Sequence, residues 1–319
     1  SVCSSDLHPL PRAILAREGA QVGGAMTEID AALLSKLACV RCTGALGDDG
    51  ASLACLGCGA TYPVADGVPV VLPGEIGDWG TKQRELYDAV APHYDDAIPA
   101  HVNRHYRDKR VDAVRDLLPV GSEVLDVGCG TGAFTGALRD AGYRTFGMDA
   151  SLGMLTEARR HGRALVALGR GEALPFRDGA FDLAITIATL HHITDPDLIA
   201  RTLAGMVRVV RPGGVVVVWD HNPKNPYWPY LMKRLPQDTG DERLVPLEEI
   251  VGALTGAGAV AIRSTRSGLV PEFAPPALMP AFRLAESIVE RLPGVSIMCA
   301  HNVVVATKPV TNARARAAS

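Results

Sequence analysis

Val124-Leu125-Asp126-Val127-Gly128-Cys129-Gly130-Thr131-Gly132 is the stretch whose reading decides the fold. Its first four residues suit a short apolar strand. Glycines at every second position, 128, 130 and 132, suit a turn. Ala133 to Ala141, apolar at Phe134, Ala137, Leu138 and Ala141, suits a helix. Strand, glycine turn and helix in that order set bare backbone and a helix N-terminus against a ligand.

Downstream the chain alternates strand and helix. Strands are predicted at 124–127, 143–149, 164–168, 181–187, 215–219, near 259–265 and within 296–308. Helices are predicted at 132–141, 152–161 with Ser151 as N-cap, 196–210 and 246–255. Arg211-Pro212-Gly213-Gly214 reads as the stop of the third of these helices. The run Val215-Val216-Val217-Val218-Trp219, apolar on both faces, reads as a central strand. Such alternation predicts an α/β fold, a seven-stranded doubly wound parallel sheet with helices on both faces. Ligands in these sheets sit beyond the carboxyl ends of the strands.

The turn is Gly-x-Gly-x-Gly rather than Gly-x-Gly-x-x-Gly, and Asp126 stands two residues before its first glycine. Asp149 ends the next strand, where an acid can accept from both hydroxyls of a ribose. A ribose, an ammonium beside Asp126 and no diphosphate describe S-adenosylmethionine better than a dinucleotide.

With these residues, the chain resembles the class I S-adenosylmethionine-dependent methyltransferases over residues 83–309, most closely those of quinone and natural-product pathways. The matching blocks are Leu125 to Gly132, Gly147-Met148-Asp149-Ala150-Ser151, Glu172-Ala173-Leu174-Pro175-Phe176, Phe181-Asp182, Leu190-His191-His192 and Arg211-Pro212-Gly213-Gly214. The resemblance implies that Gly128 and Gly130 approach the methionine part and that Asp149 holds the ribose. Ala173 and Leu174 then border the adenine, and Ile187 and Ala188 floor the methyl group. Tyr94, Asp126, Gly132, Ala150, Glu172 and His192 complete the expected cofactor shell. The pattern departs at Arg170, which stands where the family carries an acid for the adenine amine; an arginine cannot accept that bond.

Methyl transfer asks the protein to position two reactants and, for some acceptors, to take a proton. His192, after the fourth strand, and His221, after the fifth, are the candidate bases. The segments 222–243, with Tyr227, Trp228 and Tyr230, and 270–293, with Phe273, Leu278, Met279, Phe282 and Leu284, are expected to form a lid over a largely apolar pocket. His101 and His105 have the spacing of a metal pair, but among Arg104, Arg107, Lys109 and Arg110 a solvated basic face is the plainer expectation.

Upstream, Cys39-Val40-Arg41-Cys42 and Cys55-Leu56-Gly57-Cys58 form two CxxC knuckles, separated by a turn at Gly47-Asp48-Asp49-Gly50. Two such knuckles make a tetrahedral thiolate site that suits structural zinc. A module this small has little core of its own, so a metal would supply stability. Residues 37–73, with Tyr62-Pro63-Val64 and Asp66-Gly67-Val68-Pro69, resemble the zinc-ribbon activator subunits of tRNA methyltransferases. The expected division is a disordered 1–28, a ribbon at 29–73, a linker at 74–82, the methyltransferase domain at 83–309 and a flexible tail at 310–319.

The chain has 319 residues, a net charge of −3 and seven cysteines. That balance argues against a protein held on nucleic acid by bulk charge. No run reaches membrane-span length and no signal peptide is evident, so a cytoplasmic protein is expected, with a homodimer as a candidate assembly. The leading expectation is a methyltransferase of a small organic molecule in specialised, natural-product metabolism. The alternatives are an RNA base methyltransferase gripping RNA with its ribbon, and a scaffold for a partner enzyme.

Overall fold

The computed structural model describes residues 29–50, 52–74, 78–228 and 242–310. The expectations for 1–28, for 311–319 and for 229–241 of the first lid segment, Tyr230 included, lie outside the described residues. The chain opens with α1 (Ala31–Lys36), capped by Asp30 accepting from Ala32 N at 2.8 Å. A four-stranded antiparallel sheet follows: β1 (Leu46–Asp48), β2 (Ser52–Cys55), β3 (Thr61–Ala65) and β4 (Val68–Pro69). Gly47 and Asp48 of the expected turn lie in β1, Asp48 opposite Leu53, and only Asp49 and Gly50 of that turn follow the strand.

α2 (Asp78–Val90) begins inside the expected linker, so the link to the second unit is shorter than the Pro/Gly content suggested. A 3₁₀ segment (Ala91–Asp96) leads to α3 (Ala100–Arg115). The body then runs β5 (Glu123–Val127), α4 (Ala133–Asp140), β6 (Arg144–Asp149), α5 (Leu152–Arg160), β7 (Leu165–Leu168) and β8 (Phe181–Ile187). It continues through α6 (Pro196–Val209), β9 (Val210–His221), α7 (Leu247–Gly256), β10 (Val260–Ser267), α8 (Met279–Val289) and β11 (His301–Thr307). Ser151 caps α5 by accepting from Met154 N at 3.1 Å, as its position predicts.

The sheet has seven strands in the order β10-β11-β9-β8-β5-β6-β7. It is not wholly parallel: β11 is inserted between β9 and β10 and runs antiparallel to both. A second difference lies at Arg211-Pro212-Gly213-Gly214. The helix ends at Val209 and the chain enters β9 directly, these four residues forming a bulge in the β8–β9 ladder between Phe181↔Val210 and Leu183↔Val215. Pro212 has no ladder donor and Gly213 takes φ +77°, so a bulge accommodates what the sequence presents as a stop.

The small N-terminal sheet is not a tethered bead. One core runs from Ile29, Leu33, Leu37, Leu53 and Tyr62 into Phe146, Phe176, Phe181 and Leu203 of the large sheet. Leu37 bridges antiparallel to Phe176, and Val70 bridges in parallel to Leu168 on the edge strand β7. Ala38 N donates to Pro175 O, Arg177 N to Lys36 O and Val71 N to Leu168 O, each at 2.9 Å. Lys36 pairs with Glu123 and donates to Ala180 O at 2.8 Å. The edge of the sheet is thereby covered.

α8 lies against the middle of α3. There the solvated face expected around His101 and His105 is instead an interface. Glu286, 3% exposed, receives His105 Nε2 and Lys109 Nζ, both at 2.9 Å, and Leu269 N at 2.8 Å. His101 Nε2 lies 2.7 Å from Ala274 O. The cationic helix face is covered because the later segment supplies the carboxylate, a partner 181 residues away that local charge counting misses.

Candidate active site

The carboxyl ends of β5, β6, β8 and β9 open into a cavity of about 1230 Å³, roofed by α2, α3 and the segment before α8. Gly128, Gly130 and Gly132 take φ of +81°, +53° and +73°, the left-handed region that glycine enters without cost. A Cβ on Gly128 would stand 2.4 Å from Thr189 Oγ1, whereas one on Gly130 would meet nothing within 4 Å. The open space over Gly130 is therefore where a ligand can lie against bare backbone. Asp149 Oδ2 accepts from Gly130 N and Oδ1 from Ser151 N, both at 2.9 Å, fixing its carboxylate at the end of β6. Asp126 is 3% exposed and accepts from Thr135 Oγ1 at 2.7 Å. Burial lifts its pKa to about 7, with the charge of Asp149 adding to the rise and Thr135 opposing it.

Asp95 ties the roof to this turn, accepting from Thr131 Oγ1 and Arg163 Nη1 at 2.6 Å each. Tyr94, Ala150, Glu172, Ile187 and His192 all line the cavity. Gly132, Ala173 and Leu174 do not. Gly132 is spent on the N-cap of α4, and Leu174, 4% exposed, is packed in the core. Met148, Gly169 and Gly171 line the cavity in that region instead. Arg170 pairs with Glu172, so the acid closest to the missing family acid already has a cation.

The floor beyond Ile187 is a cluster of imidazoles. Ala188 turns the chain with φ +49°, and a 3₁₀ turn (Leu190–His192) follows. His191 Nδ1 lies 3.0 Å from Asp220 Oδ1. Burial pushes the Asp220 pKa up, but His191 and the backbone N–H groups of His221 and Leu190 outweigh it and hold the carboxyl below its usual value. An ionised Asp220 makes Nδ1 the protonated nitrogen of His191 and leaves the Nε2 lone pair as acceptor.

His192 does not meet the expectation of a free base, because both its nitrogens are engaged. Gln83 Nε2 lies 3.0 Å from Nδ1 and Tyr87 Oη 2.9 Å from Nε2. An amide N–H can only donate, so Nδ1 accepts, and Nε2–H donates to the tyrosine oxygen. His192 latches α2 over the cavity. His221 is stacked between His191 (4.2 Å, 22°) and Trp228 (3.7 Å, 18°). Burial, then the neighbouring imidazoles, hold its pKa well below the usual range. Asp220 was missed in the sequence; its signal is an acid at the end of the strand beside the one preceding His191.

His191, Asp220 and His221 are close enough to suggest a metal. Their geometry speaks against one. An imidazole holds a metal in its own ring plane, and two rings stacked at 22° have planes that do not share such a point.

The four cysteines are a different matter. Their sulfurs all lie within 4.8 Å of one another, with Cys39–Cys58 at 3.7 Å and Cys42–Cys55 at 3.4 Å. A tetrahedral zinc with Zn–S of ~2.3 Å spaces its sulfurs ~3.8 Å apart, so the donor set fits. Arg41 N and Gly57 N point at Cys39 Sγ and Cys55 Sγ, both at 3.4 Å, and Tyr62 Oη lies 3.0 Å from Cys39 Sγ. Those donors suit thiolates.

The comparisons with known proteins agree with this geometry. The family described as "Methyltransferase domain" matches residues 125–218. A demethylmenaquinone methyltransferase of Renibacterium salmoninarum is 39% identical over 162 residues, 47% of this chain and 66% of the relative. One from Parafrankia sp. is 32% identical over 211 residues, 55% of this chain and 81% of the relative. An Arabidopsis thaliana tRNA (carboxymethyluridine(34)-5-O)-methyltransferase is 33% identical over 133 residues, 42% of this chain but 31% of its own length. Of these three relatives, the chain thus spans about two thirds or less of two and most of the third. In fold, it is similar to a SAM-dependent methyltransferase of Thermotoga maritima, with a TM-score of 0.53 at 21% identity over 71% of this chain and 99% of the other. The matched family and the relatives, on a sheet of this fold, define a methyl-transferring enzyme. The chain belongs to the S-adenosylmethionine-dependent methyltransferases.

Proposed function

We propose that the chain methylates a small organic molecule of specialised or quinone-type metabolism, with His191 as the proton acceptor and Asp220 as its orienting acid. The observation that carries this reading is the buried His191–Asp220 pair at the floor of the cavity, adjacent to Ile187 and Ala188. The bound cofactor supplies an electrophilic methyl group. The residues do the rest. Asp149 and the backbone at Gly130 hold the nucleoside end, Asp126 faces the cationic end, and Gln83, Tyr87 and His192 keep α2 closed against water. His191 Nε2 takes the acceptor's proton, and Asp220 stabilises the imidazolium that results.

The deep, ring-lined cavity favours a small acceptor over a nucleic acid. Two of the relatives are named for demethylmenaquinone and one for tRNA. The cysteine cluster holds a structural zinc in this reading, and the ribbon braces the sheet edge rather than gripping RNA.

Calorimetry with S-adenosylhomocysteine tests the cofactor half; absence of heat defeats it. Salt-dependent RNA binding in a gel shift would replace the small-molecule reading. Elemental analysis should find about one zinc per chain; a metal-free, folded preparation would refute that assignment.

A further inference from the structure

The cavity holds one more charged group that the proton transfer does not use. Arg110 reaches from α3 over the end of β9. Its guanidinium lies 5.8 Å from the ring centroids of both Tyr106 and Trp219. No carboxylate comes within ion-pair distance of it among the described residues, and its Nε is shut off from solvent with no acceptor. Burial lowers its pKa only to about 10, so the group is a cation at neutral pH. Asp126 acts on this cation only from beyond ion-pair distance, so a largely buried guanidinium is left without a direct carboxylate partner, a costly arrangement unless something else supplies one.

The nearby acids are committed. Asp220 is bound by His191, Leu190 N and His221 N, and Asp126 by Thr135. The same wall carries two further buried polar atoms with no partner, His221 Nδ1 and His301 Nδ1, and Trp219 Nε1 in the core behind it has none either. His221 and His301 are 8% and 6% exposed, and both line the cavity. Rings frame the space. Trp228 stacks on His221, His301 stands edge-on to Trp228 at 5.7 Å, and Tyr106 edge-on to His301 at 6.0 Å. A slot walled by flat rings with a guanidinium at its end suits a planar molecule bearing negative charge.

We propose that Arg110 is the seat for an anionic oxygen of the methyl acceptor, which is a flat aromatic acid or phenolate lying along the Tyr106–Trp228–His301 wall. This rests on the methyltransferase reading. A carboxylate is also present on the cofactor's amino-acid end, so the same chemistry has two sources. Arg110 feels Asp126 on β5 as well as facing Trp219 on β9, so it stands between the glycine turn and the ring wall, and the titrations below separate the two sources.

The test uses the full chain saturated with S-adenosylhomocysteine, titrated with 1-hydroxy-2-naphthoate and with its uncharged amide. The acid should bind about tenfold tighter than the amide, and Arg110→Gln should remove that margin while Arg110→Lys restores part of it. Both variants should keep S-adenosylhomocysteine affinity within about threefold of wild type. Equal binding of acid and amide to the wild type, or no binding of either, overturns the proposal. So does Arg110→Gln losing affinity for S-adenosylhomocysteine while keeping it for methylthioadenosine, which lacks the carboxylate; the seat would then be the cofactor's. Matching melting curves for Arg110→Lys and wild type exclude misfolding. Failure of the wild type to bind S-adenosylhomocysteine at all would instead defeat the methyltransferase reading.

Discussion

Asp126 is sealed behind the glycine turn with Thr135 as its donor, and its raised pKa of about 7 makes cofactor capture depend on pH. The carboxylate is the form that favours a cationic ligand. Below its pKa the ligand must displace a proton; above it, none. Affinity for S-adenosylhomocysteine, whose ammonium faces this residue, should therefore hold at high pH. It should weaken as pH falls below 7, by up to about tenfold per pH unit. Calorimetry across that range should show the slope in wild type and its loss in Asp126→Asn. A flat wild-type profile would remove Asp126 from the ligand.

At the floor, His191→Gln should cut kcat by about 100-fold or more with cofactor affinity kept. His192→Gln should chiefly raise KM, since it loosens α2; equal kcat losses in the two would contradict the assignment. The histidine pair was legible in the sequence, but not its division of labour. Their rings lie only 3.9 Å apart, and only the fold shows that His191 bonds to Asp220 on β9 while His192 bonds to Gln83 and Tyr87 on α2.

At the scale of elements, the glycine turn separates two kinds of damage. Gly128→Ala drives a Cβ into Thr189 and should destabilise the fold by about 1–3 kcal/mol as well as abolish cofactor binding. Gly130→Ala meets open space, so its melting temperature should fall less while binding is still lost. Thermal melts beside calorimetry would distinguish them, and retained binding in Gly130→Ala would move the ligand elsewhere.

Seven strands and their neighbouring helices could be read from periodicity because each carries its own apolar face. The reversal of β11 could not, since strand direction depends on how long a connection is and where it lands. The bulge at Arg211 to Gly214 was hidden for a related reason: Pro-Gly-Gly marks irregular backbone but does not say whether a turn or a bulge will absorb it.

For the molecule as a whole, the ribbon and the sheet share one interior. Unfolding should accordingly be a single transition, and chelation should lower its midpoint for the entire chain rather than release an early, separate step. Calorimetric scans with and without a strong chelator would show this; two resolved transitions would mean that the units are independent. The sequence marked the knuckles clearly, since spacing alone identifies them. It could not show that Leu37 and Val70 pair with Phe176 and Leu168, because such pairings depend on docking between distant segments.

The pairing of Val70 with Leu168 also has a consequence for anyone who trims the gene. Without the first 73 residues, Leu165–Leu168 would be left with unanswered amides and carbonyls along its outer side. Two such truncated copies would then find in each other the partner they had lost. Shortened versions should come out of expression as clumps, and adding zinc would do nothing to rescue them.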